Sequence, residues 1–470
     1  MRTSLLLVLA VAAFAEAPLR KNPDVAGAIR VFEAWIDGQM AYRGLPGIAV
    51  GVVHGQDLVW SRGFGFEDAA RTRPVTAKTK FRMASHTKVF TAMSVLQLRD
   101  AGKLRLDDPV SRHLPWFRVK PAGSGDPAIS IEHLLTHSSG LPREAAAPYW
   151  VTFEFPSAME IRRAVPGQQA AYAPEVRWKY SNLAFALLGQ IVESASGEPY
   201  RDYVERHVLR PLGMNDSSVD APAPGIATGF GRRMPDGSRK PMPFTDTKGL
   251  GPAAGLTSTV EDMARFVSLQ FRDGKSGGSQ ILSGATLREM RRPRMLENDW
   301  SRGNGLGFAV WRDEDKVYFG HGGSLAGYKT QTTMQAGGRI GVVVLTNGDD
   351  SRPSQIAAKL MATVGEATAK AATPPAKAPL WDGSWRRFAG LYRSIWGDSE
   401  VVENGGMLVI VDPTGDAPEV TQKLIPAGGG EFRLEASTGG AAVGEPVRFV
   451  EKDGRVTAMT VGHVRMERVR

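Results

Sequence analysis

Apolar residues at Val25, Ile29, Phe32 and Ile36 recur at helical spacing near the start of the chain, which predicts an amphipathic helix. The run Gly47-Ile-Ala-Val-Gly-Val-Val53, the break His54-Gly55-Gln56 and the following Leu58-Val59-Trp60 predict a β-hairpin. Helical spacing then dominates from Ser85 to about Phe266, and Val89, Phe90, Met93, Val95, Leu96 and Leu98 mark one mostly buried helix. The pattern changes again at Tyr328 to Met334, which alternates like a strand, and at Gly341-Val-Val-Val-Leu-Thr346, whose unbroken apolar run predicts a strand buried on both faces. Strands at both ends with helices between them predict an α+β arrangement, an antiparallel sheet flanked by helices plus a mostly helical region.

Around Ala371 large apolar residues vanish, and Pro374, Pro375 and Pro379 mark a linker. Beyond it, Met407–Val411, Phe432–Leu434, Val447–Val450, Val456–Val461 and Val464–Met466 read as short strands between Gly, Pro and Asp turns, which predicts a small all-β barrel or sandwich. A chain of 470 residues accommodates this plan. The expected division is 1–15, 16–368, a linker at 369–380, and 381–470.

The first segment is set apart by its own pattern. A basic Met1-Arg2-Thr3 precedes the apolar run Ser4 to Phe14 and the small-x-small Ala13-Phe14-Ala15, which predicts a cleaved signal peptide and a periplasmic or secreted protein. No later apolar stretch has membrane-spanning length. The absence of cysteine excludes disulfides, a thiol nucleophile and cysteine-held metal. The net charge of +9 suits contact with an anionic cell wall, but the basic residues are scattered, and no basic run with interleaved aromatics marks a nucleic-acid partner.

Candidate chemistry begins at Phe81-Arg-Met-Ala-Ser85-His-Thr-Lys88-Val-Phe90. On a helix, positions i and i+3 share a face, so the Ser85 hydroxyl and the Lys88 amine come within reach of each other. A serine needs a base to become a nucleophile, and a lysine desolvated among apolar residues supplies one. His133 and His137 stand at metal-ligand spacing, but without H-E-x-x-H or a third ligand they read as structural, and no cofactor is expected. Tyr149, Trp150, Phe153 and Phe155 suit either a cleft wall or a packed apolar face.

Three more segments join this pair: Trp178-Lys179-Tyr180-Ser181-Asn182, His133-Leu-Leu-Thr-His137-Ser-Ser-Gly140-Leu141, and Phe319-Gly-His321-Gly-Gly323-Ser324. With Leu106–Val110 and Arg210–Met214, they resemble the serine β-lactamase and penicillin-binding-protein superfamily, in its class C and esterase-like branch, over roughly residues 25 to 365. The resemblance implies an acyl-enzyme hydrolase with Ser85 as nucleophile, Lys88 as base or relay, and Tyr180 as a partner base whose pKa the lysine lowers. It further implies that Asn182 contacts substrate and orients Lys88, that the backbone N–H groups of Ser85 and Ser324 form an oxyanion hole, and that Gly322 and Gly323 let the strand approach the substrate. The family's Lys-Thr-Gly is here His321-Gly322-Gly323, which removes a permanent charge from the substrate-binding strand. Expected substrates are therefore small carboxylic esters or short peptides and amides, including ones with D-residues. A β-lactamase is the second reading, and a non-catalytic binding or sensor protein the third. The last domain resembles the lipocalin-like barrels appended to some of these hydrolases. Its role and the oligomeric state stay open.

Overall fold

Helix α1 (Pro23–Arg43) begins where the Asn22 side chain accepts hydrogen bonds from the N–H groups of Asp24 and Val25, and it ends at Gly44, whose φ of 57° suits glycine. The computed structural model describes residues 18–145, 148–220, 225–272, 278–297, 299–373, 382–411, 413, 420–436 and 442–470. The expected signal peptide at 1–15 and most of the expected linker, 374–380, lie outside these. Residues Glu366–Ala372 are helical, so the first part of the segment read as linker continues the last helix of its unit. The chain divides into two units, Met1–Ala372 and Thr373–Arg470. No helix among the described residues is long and apolar enough to cross a membrane.

In the first unit, β1 (Gly47–His54) and β2 (Asp57–Gly65) form the expected hairpin. The helical part carries short strands: β3 (Phe81–Arg82), β4 (Ser218–Val219), β5 (Gly229–Phe230), β6 (Pro241–Met242) and β7 (Leu256–Ser258). Of these, β3 and β4 flank β7, and β5 pairs with β6. The chain then adds β8 (Met295–Leu296), β9 (Arg302–Asn304), β10 (Ala309–Asp313), β11 (Lys316–Leu325), β12 (Tyr328–Gln335) and β13 (Ile340–Thr346). The main sheet has the antiparallel order β2-β1-β13-β12-β11-β10-β9-β8. Both of its faces are covered. Ile340, Val342 and Val344 pack with α1 and the helix Pro353–Leu360, while Val343 and Leu345 join the larger core of the helical part. Burial on both faces is why β13 reads as an unbroken apolar run.

The second unit is a closed barrel of eight antiparallel strands, β14 (Gly390–Ser394), β15 (Gly397–Glu403), β16 (Leu408–Val411), β17 (Val420–Gly428), β18 (Glu431–Ala436), β19 (Pro446–Lys452), β20 (Arg455–Val461) and β21 (Val464–Arg468). Its interior holds Tyr392, Leu408, Leu424, Phe432 and Met459, and Phe388 stacks on Phe449 at 4.2 Å between ring centroids. Strands β14, β15 and β17 were not apparent in the sequence. Each buries a single large residue of those described, Tyr392, Val401 and Leu424 respectively, which is too sparse for a strand pattern.

Two buried helical pieces define the floor beneath Ser85: α2 (Thr87–Asp100) and the helix Asn182–Ser196, which meets the short turn Gly251–Ala254. Gly189 makes that meeting possible, since a Cβ there would lie 2.0 Å from Cγ of Pro252. Gly189→Ala should therefore destabilise the first unit by about 1–3 kcal/mol through overpacking, despite alanine's better helix propensity. The urea midpoint of unfolding measures this, and an unchanged or raised midpoint would contradict the packing described.

Candidate active site

Ser85 sits at a turn that several bonds hold in place. After β3, the Met83 N–H donates to the Leu256 carbonyl at 2.7 Å, and Ala84 takes φ 49°, a region costing a non-glycine residue about 1–3 kcal/mol. A 3-10 turn, Ala84–His86, then carries Ser85 into α2. The Thr87 hydroxyl donates to the Ala84 carbonyl at 2.6 Å and accepts the Leu256 N–H at 2.9 Å. The buried His86 clamps the turn to β12, with Nδ1 2.8 Å from Thr330 Oγ1 and Nε2 3.0 Å from Thr332 Oγ1. Burial pushes this imidazole down to about 3, with His321 adding to the effect, so it clamps in the neutral form. Ser85 itself is half-buried among fully buried neighbours.

Lys88 is fully buried. Its Nζ lies 2.7 Å from Asn182 Oδ1, 2.9 Å from the Ala253 carbonyl and 3.2 Å from Ser85 Oγ. Burial pulls its pKa down to about 7, Glu144 opposes that shift and Arg143 reinforces it, so the neutral amine is available near pH 7. A neutral amine has two N–H bonds and one lone pair. Asn182 Oδ1 and the Ala253 carbonyl can only accept, so they take the two hydrogens and leave the lone pair facing Ser85.

Tyr180 closes the group, its ring centroid 4.9 Å from Lys88 Nζ. The expectation of a lowered phenol pKa is overturned. Burial raises it to about 12, outweighing the opposite pulls of its polar neighbour Ser85 and of Arg143. Lys88 thus holds the base-like pKa, and Tyr180 is a protonated donor. The ring is positioned by His137, 4.4 Å away between centroids, whose Nδ1 accepts the Ser181 N–H at 3.1 Å. Ser181 caps the helix Asn182–Ser196 by accepting the Ala184 N–H at 3.0 Å, so one turn sets both Tyr180 and Asn182.

On the opposite side runs β11. A Cβ on Gly323 would fall 2.2 Å from the Met83 carbonyl, so only glycine allows the strand to lie so close to the serine turn. Ser324 follows it and is exposed. His321 is half-buried, and its ring centroid lies 6.0 Å from that of His86. His321 Nδ1 donates to the Gly322 carbonyl at 2.6 Å, and burial, with Lys88 adding to it, pushes the imidazole down to about 4. β11 is therefore uncharged at this position near pH 7. His133 lies apart from this group, closing a capping box with Ser130 at the start of the helix Ile131–Leu135 and meeting Glu175 at 3.2 Å. Of the four aromatics, Tyr149 and Phe155 are buried in the core, while Trp150 and Phe153 are partly exposed.

Sequence reasoning missed Glu144. Asn182 Nδ2 donates to Glu144 Oε1 at 2.8 Å, Arg143 Nε donates to the same oxygen at 3.0 Å, and the Tyr149 hydroxyl donates to Oε2. It stands just beyond the His133–Leu141 motif, but no spacing rule marks it, since only the folded loop brings it against Asn182.

The Beta-lactamase family model matches residues 32–366. The chain belongs to this family. Beta-lactamase-like protein 2 of Dictyostelium discoideum is 29% identical over 342 residues, 69% of this chain and 60% of its own length. The chain spans about 60% of the length of the curated relatives it matches. Among solved structures, the octameric penicillin-binding protein homologue from Pyrococcus abyssi superposes with a TM-score of 0.64 at 25% identity, covering 93% of this chain and 99% of that one. The D-stereospecific amidohydrolase from Streptomyces sp. shares the fold, with a TM-score of 0.59 at 22% identity over 72% of this chain and 98% of its own.

If Lys88 is the base, turnover should be low in acid and rise with pH through about 7 as the amine loses its proton. Lys88→Ala should lower kcat by about 10²–10⁴-fold. A pH–rate profile of a neutral ester checks both, and a flat profile between pH 5 and 9 would contradict the assignment.

Proposed function

We propose that this chain is a serine hydrolase that passes through an acyl-enzyme on Ser85. The observation that carries the reading is the buried Lys88 amine, with two fixed acceptors for its hydrogens and its third position 3.2 Å from the Ser85 oxygen. Ser85 Oγ attacks the substrate carbonyl carbon while its proton passes to Lys88. The carbonyl oxygen becomes an oxyanion beside the N–H groups of Ser85 and Ser324. Collapse breaks the bond to the alcohol or amine, which leaves with a proton delivered through Tyr180 from Lys88. Water then adds to the acyl carbon, gives its proton back along the same route, and releases the acid and free Ser85.

The substrate side of the proposal rests on His321. A neutral imidazole offers a substrate carboxylate no permanent countercharge, which favours carboxylic esters and short peptides or amides. The fold shared with a D-stereospecific amidohydrolase brings D-residue substrates into that class. The Beta-lactamase family match keeps β-lactam hydrolysis as the second reading. Residues 1–15 read as a signal peptide, so we place the activity in the periplasm or medium.

The test is side-by-side turnover of an aryl ester, a D-alanyl peptide and a chromogenic cephalosporin, with Ser85→Ala as control. Ester or peptide turnover that falls at least about 10³-fold in the variant is expected. Dominant cephalosporin turnover would make the second reading correct. Turnover that persists in Ser85→Ala would refute the nucleophile.

A further inference from the structure

We propose that Glu144 is a positioning residue for this site, fixing the Asn182 amide so that its oxygen, and not its nitrogen, meets Lys88. The inference rests on the reading of Ser85 and Lys88 as nucleophile and base. An asparagine amide presents a donor on one side and an acceptor on the other, and nothing in its own shape selects which faces the lysine. A carboxylate accepts only. Glu144 Oε1, 2.8 Å from Asn182 Nδ2, therefore holds the NH₂ group on its side and turns Oδ1 toward Lys88 Nζ at 2.7 Å. With the amide reversed, its NH₂ would face the amine, compete for the lone pair and draw it away from Ser85.

Glu144 is itself held at both oxygens. The Tyr149 hydroxyl donates to Oε2, and burial together with this carboxylate raises the Tyr149 pKa and keeps it protonated. Arg143 Nε donates to Oε1 at 3.0 Å, and its guanidinium lies 5.5 Å from the Tyr180 ring centroid. The line Tyr149–Glu144–Asn182–Lys88–Ser85 thus ties the loop after the helix Ile131–Leu135, through the start of the helix Asn182–Ser196, to the serine turn. Glu144 also acts through charge. Lys88 is faced by Tyr180 and Asn182 at the start of the helix Asn182–Ser196, by His137, Arg143 and Glu144 from the loop after the helix Ile131–Leu135, and by His321 from β11. Of these, Glu144 raises the lysine pKa and Arg143 lowers it.

Two variants test the proposal, with p-nitrophenyl acetate as probe and unfolding midpoints recorded for each. Glu144→Gln keeps the shape but supplies a donor as well as an acceptor. We expect kcat to fall about 10- to 100-fold, the scale of a misaligned catalytic group, with KM little changed. The acidic limb of the pH–rate profile should move to lower pH, because the charge that raised the lysine pKa is gone. Tyr149→Phe keeps the charge and frees one oxygen, so kcat should fall several-fold while the acidic limb stays where it is in the parent. It carries the test alone if Glu144→Gln does not fold. Parental kcat and an unmoved limb in Glu144→Gln, or parental kcat in Tyr149→Phe, overturn the proposal. If the parent protein shows no Ser85-dependent release of p-nitrophenol, the hydrolase reading fails first and the proposal with it.

Discussion

A lysine amine with no access to water must find a partner for each of its hydrogens, and the first unit is organised around that requirement at Lys88. The partners come from distant parts of the sequence: Asn182 from the start of one helix, the Ala253 carbonyl from a short turn, and Ser85 from the 3-10 turn one step earlier in the chain. Each partner is in turn anchored. Ser181 caps the helix that carries Asn182, Gly189 seats the turn that carries Ala253, and His86 and Thr87 fix the turn that carries Ser85. Burial and geometry here serve one end, since the desolvation that lowers the lysine pKa to about 7 is the reason its bonds must be so fully supplied.

That arrangement tolerates little extra volume. Gly323 lets β11 lie against the Met83 carbonyl, and Gly307, at φ 82°, lets the loop before β10 lie against α2, where a Cβ would meet that of Ala92 at 2.7 Å. The strain at Ala84 belongs to the same design, because a relaxed backbone there would swing Ser85 out of line with Lys88. The buried side chains of α2 give this strain something to push against.

What the sequence disclosed follows from the range of each interaction. The hairpin at β1 and β2, the strand β13 and the helix from Asn182 are repeats of local pattern, and Ser85 and Lys88 are local neighbours, so all were legible. Tyr180 and Asn182 became legible by resemblance, which locates residues without describing their surroundings. The surroundings then reversed one expectation, because burial disfavours the phenolate of Tyr180 and outweighs the neighbours that would favour it. Glu144 and His86 escaped notice for a different reason. Their partners, Asn182 for one and Thr330 and Thr332 for the other, lie far along the chain, and no periodicity records such a pairing. In the barrel, β14, β15 and β17 each bury one large residue of those described, so their strand character comes from backbone pairing across a closed ring and not from side-chain alternation.

The charges around Lys88 complete the argument. His86, His137 and His321 all have pKa values lowered by burial; His321 lowers the other two further, and Lys88 lowers His137 and His321. Three neutral imidazoles give the site polar walls without adding positive charge, so the lysine is not forced to give up its proton far below neutrality. The balance is then struck between two adjacent residues, Arg143 pulling the amine toward its neutral form and Glu144 toward its charged one. The two are paired with each other at 3.0 Å, so the residue that raises the lysine pKa and the residue that lowers it are held together.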